Sequence, residues 1–373
     1  MDGGSDFGRI SLQEMSTRLC GSADLFATEP GRGAPASINF VSCHDGFTLT
    51  DLTRYRSKHN EANGENNNDG SSVNHSANFG VEGVTDDPDV IAAREQAAMN
   101  MIGMLLLSLG TPMMLAGDEF RNTQDGNNNA YCQDNDITWL KWDWMYSTNK
   151  TREMRRLETV SRLVALRKSL DLYHHEDFFT RLTQLGLLKP SSRVQWFLPD
   201  GTTPMERDWF DLGVRSFTMR LLSNSEVDVC IVVNGTADDR TFRLPPDTHW
   251  TPKWCSAEIN GRRAGHGTQV EECDLNGDTT VWTQHVPDAS ETVLKMVKEV
   301  AMQRTESSTE NEADTIKFAM PVTDHAANGT SSAPRDEVSA DMPDAPVDDT
   351  PDTPVDDNVW TMPALSITLM KQV

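Results

Sequence analysis

His44 and Asp45 stand side by side after an apolar run, in the segment FVSCHDGFTLTDL over 40–52. A carboxylate beside an imidazole can move protons or steady a developing positive charge. A second concentration of polar groups, KHNEANGENNNDGSSVNHSANFGVEG over 58–83, presents Glu61, Asn63, Glu65, Asn67 and Asp69. These side chains can hydrogen-bond the hydroxyls of a substrate, and they can equally fold their own loop through Asx-turns. A third group, Asp118 and Glu119, closes the apolar run GTPMMLAGDEF over 110–120. It reads as a hydrogen-bonded loop anchor, with a catalytic role as the alternative. Cys43 beside His44 is not read as a thiol–imidazole pair, because adjacent strand residues point to opposite faces.

These residues need elements to position them. ASINFVS, 36–42, is short, apolar and preceded by Pro35, the signature of a buried strand in a parallel sheet. The Asn-rich loop follows. Next comes DDPDVIAAREQAAMNMIGMLLLSLG, a helix that Asp86 or Asp87 can cap, with Pro88 at its first turn and Gly110 beyond its end. TPMMLAGDEF is a second buried strand, followed by another Asn-rich loop and a charged amphipathic helix at about 150–172. Strand, long loop, helix, repeated, implies parallel strands with helices outside, and the loops after the strands carry chemistry in such folds. Trp139, Trp142 and Trp144 in the second loop either pack on the sheet or stack on a ligand.

Beyond residue 172 the texture changes. RVQWFLPDG, SFTMRLL, VDVCIVVNG, RTFRLPP and DTTVWTQHVP are short β-rich runs between Pro, Gly and Asp turns, as in an antiparallel sandwich. The expected organisation is α/β plus all-β: an α/β part over 1–172, a β-sandwich domain over 173–300, and a disordered acidic tail over 301–373. The tail reading rests on 305–357, rich in Asp, Glu, Ser, Thr and Pro and poor in aromatics.

Over 373 residues, 33 Lys plus Arg face 57 Asp plus Glu, a net charge of −24. Nucleic-acid binding needs a basic footprint and an anionic membrane attracts basic segments, so neither is an expected partner. The N-terminus lacks the basic and apolar regions of a signal peptide, and the most apolar run, 99–109, is too short to span a bilayer. The six cysteines contain no CxxC pair. A reduced, cytoplasmic setting is expected. His59 and His75 have no metal-ligand spacing, and no metal or cofactor is expected.

The segments INFVSCHDGFTLTDL, KHNEANGENNNDG, NFGVEG, GTPMMLAGDEF and NNNAYCQDNDITWLKWDW strongly resemble the isoamylase-type glycogen debranching enzymes, of the α-amylase superfamily of retaining glycosidases. The likeness covers about 21–144 and continues weakly through the β-rich half. It implies that the α/β part is the C-terminal part of a (β/α)8 barrel, about its last two βα units, with 36–42 and 110–120 as the seventh and eighth strands. It implies that Asp45 is the third catalytic carboxylate, a transition-state stabiliser, with His44 binding the sugar beside it, and an α-glucan as substrate. A retaining glycosidase also needs a nucleophile and an acid/base about 5 Å apart. In the family both precede the His–Asp pair, and neither motif is found in the 43 residues before His44. The resemblance therefore implies a C-terminal portion of such an enzyme, its site to be completed either by a separate N-terminal barrel fragment or within a longer protein of which this sequence is the later part. A truncated, inactive relative that binds α-glucan or a partner chain is the alternative. The β domain is expected to fold independently of 1–170.

Overall fold

The computed structural model describes residues 10–28, 31–174, 194–222, 228–246, 249–266, 271–272, 358–363 and 366–372. The first half contains α1 (Leu12–Leu19), α2 (Ala23–Phe26), β1 (Ile38–Asn39), α3 (Leu49–Leu52), α4 (Pro88–Leu107), β2 (Thr111–Pro112) and α5 (Arg152–Ser169). Local signals start the helices. Ser11 and Glu14 form a reciprocal capping box at α1. At α4, Asp87 accepts from Asp89 N at 2.9 Å and Pro88 occupies the first turn. Thr151 accepts from Met154 N at 3.2 Å at the start of α5.

β1 and β2 are parallel, with Ile38 opposite Thr111 and Asn39 opposite Pro112, and α4 is the crossover between them. The ladder tolerates Pro112 because it uses the flanking N–H groups. Thr111 donates to Ser37 O and Met113 to Asn39 O, each at 2.8 Å. Both strands are shorter than the apolar runs that suggested them. Nor is β1 fully buried: Ile38 is 46% exposed. The α4 helix reaches 20 residues, long and apolar enough to cross a membrane, and is largely buried inside the protein.

The second half is antiparallel. β3 (Val194–Phe197), β4 (Ser216–Leu221), β5 (Val229–Asn234), β7 (Trp250–Cys255) and β12 (Ser366–Gln372) form a five-stranded sheet in the order β3-β4-β5-β12-β7. β6 (Arg240–Arg243), β9 (Gly265–His266) and β11 (Val359–Met362) form a second, in the order β6-β11-β9. β8 (Arg262–Arg263) pairs with β10 (Glu271–Glu272). The run at 278–287, read as a strand, lies outside the described residues. So does the acidic stretch 305–357.

The boundary drawn at 300 needs correction. β11 and β12 come from the stretch assigned to the tail, and both are interior strands of their sheets. The alternating run SITLM over 366–370 was masked by the acidic composition preceding it. β7 was not among the expected strands, and it contains Pro252, a residue that counts against a strand. It is accommodated because β7 lies at the sheet edge, where the register against β12 shifts between Leu369 and Met370.

The five-stranded sheet is covered on both faces, as strand alternation permits. Val229 and Ile231 join Phe217, Met219, Leu221, Trp254, Ile367 and Leu369 in a core shared with α1 and α4. Cys230 and Val232 point the other way, into a cluster with Phe242, Trp360 and Met362 of the smaller sheet. The shared core opposes the expected independence of the β-rich half. Gly103 of α4 lies against the fully buried Trp254, and a Cβ there would be 2.8 Å from Cη2. Polar contacts reinforce this junction. Gln96 Nε2 donates to Ser256 Oγ (2.9 Å), Ser256 Oγ to Asn100 Oδ1 (2.6 Å) and Arg162 to Glu258 (2.9 Å).

Candidate active site

The chain leaves β1, passes Ser42 and enters a tight loop, 43–48, before α3. Gly46 has φ +88°, a left-handed conformation that glycine adopts without strain. This loop carries the His–Asp pair. The His44 and Asp45 side chains are 87% and 78% exposed, and His44 Nε2 lies 3.4 Å from Asp45 Oδ2. Cys43 Sγ donates to Asp45 O at 3.4 Å, so the thiol faces the loop backbone.

Residues following β2 hold this loop at several points. Ser42 Oγ donates to Asp118 Oδ2, and Leu49 N donates to Asp118 Oδ1 at 2.9 Å. Gly46 N donates to Asn128 O at 3.0 Å, and Thr48 Oγ1 to Asn122 O at 3.1 Å. Asp118 is 1% exposed, and burial pushes its carboxyl up to about 7, against the two donated hydrogen bonds. Glu119 folds back, accepting from Gly117 N at 2.8 Å, and burial raises its carboxyl too.

The two Asn-rich loops interlock. Asn60 Nδ2 donates to Asn128 Oδ1 (2.9 Å), and Asn128 N donates to Asn60 Oδ1 (2.9 Å). Asn63 Nδ2 donates to Asp69 Oδ2 (2.7 Å) and Asn129 O (2.9 Å), while its Oδ1 accepts from Asn127 Nδ2 (2.8 Å) and Gln133 Nε2 (2.8 Å). Asp69 Oδ2 also accepts from Asn129 Nδ2 (2.9 Å). These donors hold the carboxyl below its usual range. Asn67 Oδ1 accepts from Asn60 N (2.9 Å), and its Nδ2 donates to Lys58 O (3.0 Å). Of the residues suggested as substrate ligands, Asn63, Asn67 and Asp69 are thus engaged in the loop's own framework. Glu61 and Glu65 lie exposed on its surface.

Sequence reasoning missed two supports. Arg94, buried on α4, donates to Gly83 O (2.6 Å), Asn78 O (2.8 Å) and Val81 O, pinning the far end of the first loop. Glu82 accepts from Arg56 N (3.0 Å), Ser57 N (3.1 Å) and Asn78 Nδ2 (2.8 Å). Burial would raise its carboxyl, but these donors together with His59 lower it to about 2. The available signal was the charged pair Arg94–Glu95 within a helix whose later half is apolar nearly all round. Arg156 of α5 reaches Glu95 (2.8 Å) and Asp118 O (3.4 Å), and Arg121 reaches Glu95 at 3.0 Å. Trp142 and Trp144 pack on Phe120 with ring centroids 4.8 and 5.3 Å away, whereas Trp139 is mostly exposed. Among the described residues, no group of three or more His, Cys, Asp or Glu could hold a metal ion.

No family model matches the chain. It does match curated proteins. It is 44% identical over 213 residues to a glycogen operon protein GlgX homolog of Mycobacterium tuberculosis, covering 56% of this chain and 28% of that one. It is 37% identical over 270 residues to a glycogen debranching enzyme of Pectobacterium atrosepticum, covering 72% and 38%. Among solved structures, the pullulanase of Anoxybacillus sp. LM18-11 in complex with maltotetraose matches at a TM-score of 0.42 and 17% identity, covering 68% of this chain and 27% of that one. The chain is a homologue of proteins of the glycogen operon. More particularly, it is a relative of the glycogen debranching enzymes, as its motifs suggested. It spans about a third of the length of the curated relatives it matches.

Proposed function

We propose that this chain forms part of a glycoside hydrolase that cleaves α-1,6-glucosidic branch linkages in a glycogen-like α-glucan, with retention of configuration. The observation that carries this reading is the exposed His44–Asp45 pair, on a loop at the C-terminal end of a parallel strand, where βα folds put their chemistry. In this reading β1–α4–β2–α5 are the last two βα units of a (β/α)8 barrel, and the two-sheet half is the β-sandwich domain that follows it. Asp45 steadies the oxocarbenium-like transition state and His44 binds the same sugar ring. The nucleophile and general acid/base come from other strands of the barrel. Glu61 and Glu65, exposed on the neighbouring loop, contact further sugar hydroxyls. The setting is cytoplasmic.

The test is a reducing-end assay on glycogen, with the purified chain alone and mixed with the N-terminal barrel portion of a homologous debranching enzyme, beside Asp45→Asn. Activity only in the mixture, lost in the variant, is the expected result. Activity of the chain alone that survives Asp45→Asn would defeat the assignment of Asp45. The second reading is a non-catalytic α-glucan binder. The interlocked loops favour it, since they are held by contacts within this chain. Retarded migration in a glycogen-containing gel with no activity in either assay would support it.

A further inference from the structure

We propose that Asp118 is the positioning residue of the His44–Asp45 loop. Its two carboxylate oxygens serve the two ends of one short segment. Oδ2 accepts from Ser42 Oγ, immediately before the loop, and Oδ1 accepts from Leu49 N, immediately after it, at 2.9 Å. Between these points the chain makes a left-handed turn at Gly46 and exposes His44 and Asp45 almost completely. Packing does not fix side chains so exposed, so their placement is inherited from the loop backbone, which Asp118 holds at both ends and Asn128 O holds at Gly46 N. Asp118 is itself fixed. It lies in a 3-10 turn, Asp118–Phe120, whose backbone carbonyl at residue 118 accepts from Arg156 at 3.4 Å, and Arg156 is in turn held by Glu95. A rigid, buried carboxylate clamping both ends of a turn leaves that turn few ways to move.

The assignment separates Asp118 from Glu119. Glu119 accepts from Gly117 N, within its own turn, and no described bond links its side chain to the 43–48 loop. Their neighbouring carboxylates therefore have different jobs. Asp118 touches no substrate in this account. It acts through the backbone that carries Asp45, and its importance to catalysis rests on the role proposed above for the His–Asp pair.

Amide hydrogen exchange on the full chain tests the clamp directly. Asp118→Ala removes both acceptors, and exchange across 43–49 is expected to rise about tenfold or more, from the loss of two buried hydrogen bonds. Exchange in β5, 229–234, should stay as in the wild type. Asp118→Asn keeps an oxygen for Leu49 N and an amide for Ser42 Oγ, and should restore most of the protection. Unchanged exchange at 43–49 in Asp118→Ala would overturn the proposal. So would Asp118→Asn losing protection at 43–49 and in β5 together, since that marks a general structural role. If Asp118→Ala fails to fold, Ser42→Ala, which removes one of the two donors to Asp118, decides: faster exchange confined to 43–49 supports the clamp, and unchanged exchange there overturns it. Maltotetraose is then added to the wild type. Failure of the sugar to protect 43–49 counts against the glucan reading and leaves the clamp standing.

Discussion

Asn60 and Asn128, 68 positions apart, share two hydrogen bonds of 2.9 Å, one between their side-chain amides and one from the backbone of Asn128 to the side chain of Asn60. Both residues are buried, and Asn128 O also accepts from Gly46 N in the loop that carries His44 and Asp45. Two segments whose composition reads as turn and loop therefore form one fastened surface. Asn60→Ala and Asn128→Ala should each lower stability by about 1–3 kcal/mol, because each strands a buried partner. Urea unfolding of both variants and the double variant should give a coupling of roughly 0.5–3 kcal/mol. Additive effects would mean that the pair is incidental.

Asp118 should leave a signature in pH dependence. Its carboxyl is raised from the ordinary 3.8 to about 7, first by burial, with Glu119 adding to the rise and Ser42, Leu49 and Arg156 opposing it. The folded state thus binds this proton more tightly than the unfolded state. The stabilisation is complete below pH 3.8 and is lost as pH rises through about 7. Urea midpoints from pH 4 to 8 should fall more steeply for the wild type than for Asp118→Asn, whose neutral side chain cannot ionise. Parallel curves would refute the assignment.

Glu82 acts in the opposite direction. Although burial favours its neutral form, its hydrogen-bond donors hold the carboxyl at about 2 instead of 4.5. Its contribution is present above pH 4.5 and disappears as pH falls toward 2. In Glu82→Gln, acid-induced loosening of 56–59 and 78–82, followed by hydrogen exchange, should begin from a less protected state and depend less on pH.

Gly103→Ala is a mild change by helix propensity, since alanine favours helices. Here it should destabilise by about 1–3 kcal/mol through overpacking, because the new methyl meets Trp254 at 2.8 Å. Pairing it with Trp254→Phe should recover part of the loss. A stabilised Gly103→Ala protein would mean that the junction between α4 and β7 is loose.

How much of this was legible in the sequence differs by element. The start of α4 was, because Asp87 and Pro88 act locally. His44–Asp45 and the two loops stood out through residue types and flanking motifs. The partners of Asp118 did not, since Ser42 and Leu49 lie 76 and 69 positions away and nothing local marks the pairing. For β7, Pro252 counts against a strand, and the edge position permits one. For β11 and β12, a long acidic stretch outweighed two short apolar runs. Composition averaged over a window cannot register a strand that supplies the middle of a sheet formed largely by residues more than a hundred positions earlier.

That last arrangement has a consequence for how the molecule is made. β12 runs between β5 and β7, and β11 between β6 and β9. During synthesis, β3 to β7 emerge with a vacancy between β5 and β7, whose facing edges cannot pair until residues 366–372 arrive. Until then those edges can recruit strands from other nascent chains. A chain stopped at residue 300 should therefore aggregate, whereas one in which 273–357 is replaced by a short Gly-Ser linker should remain folded. The interval between translating β7 and β12 is the period in which this protein most needs a chaperone.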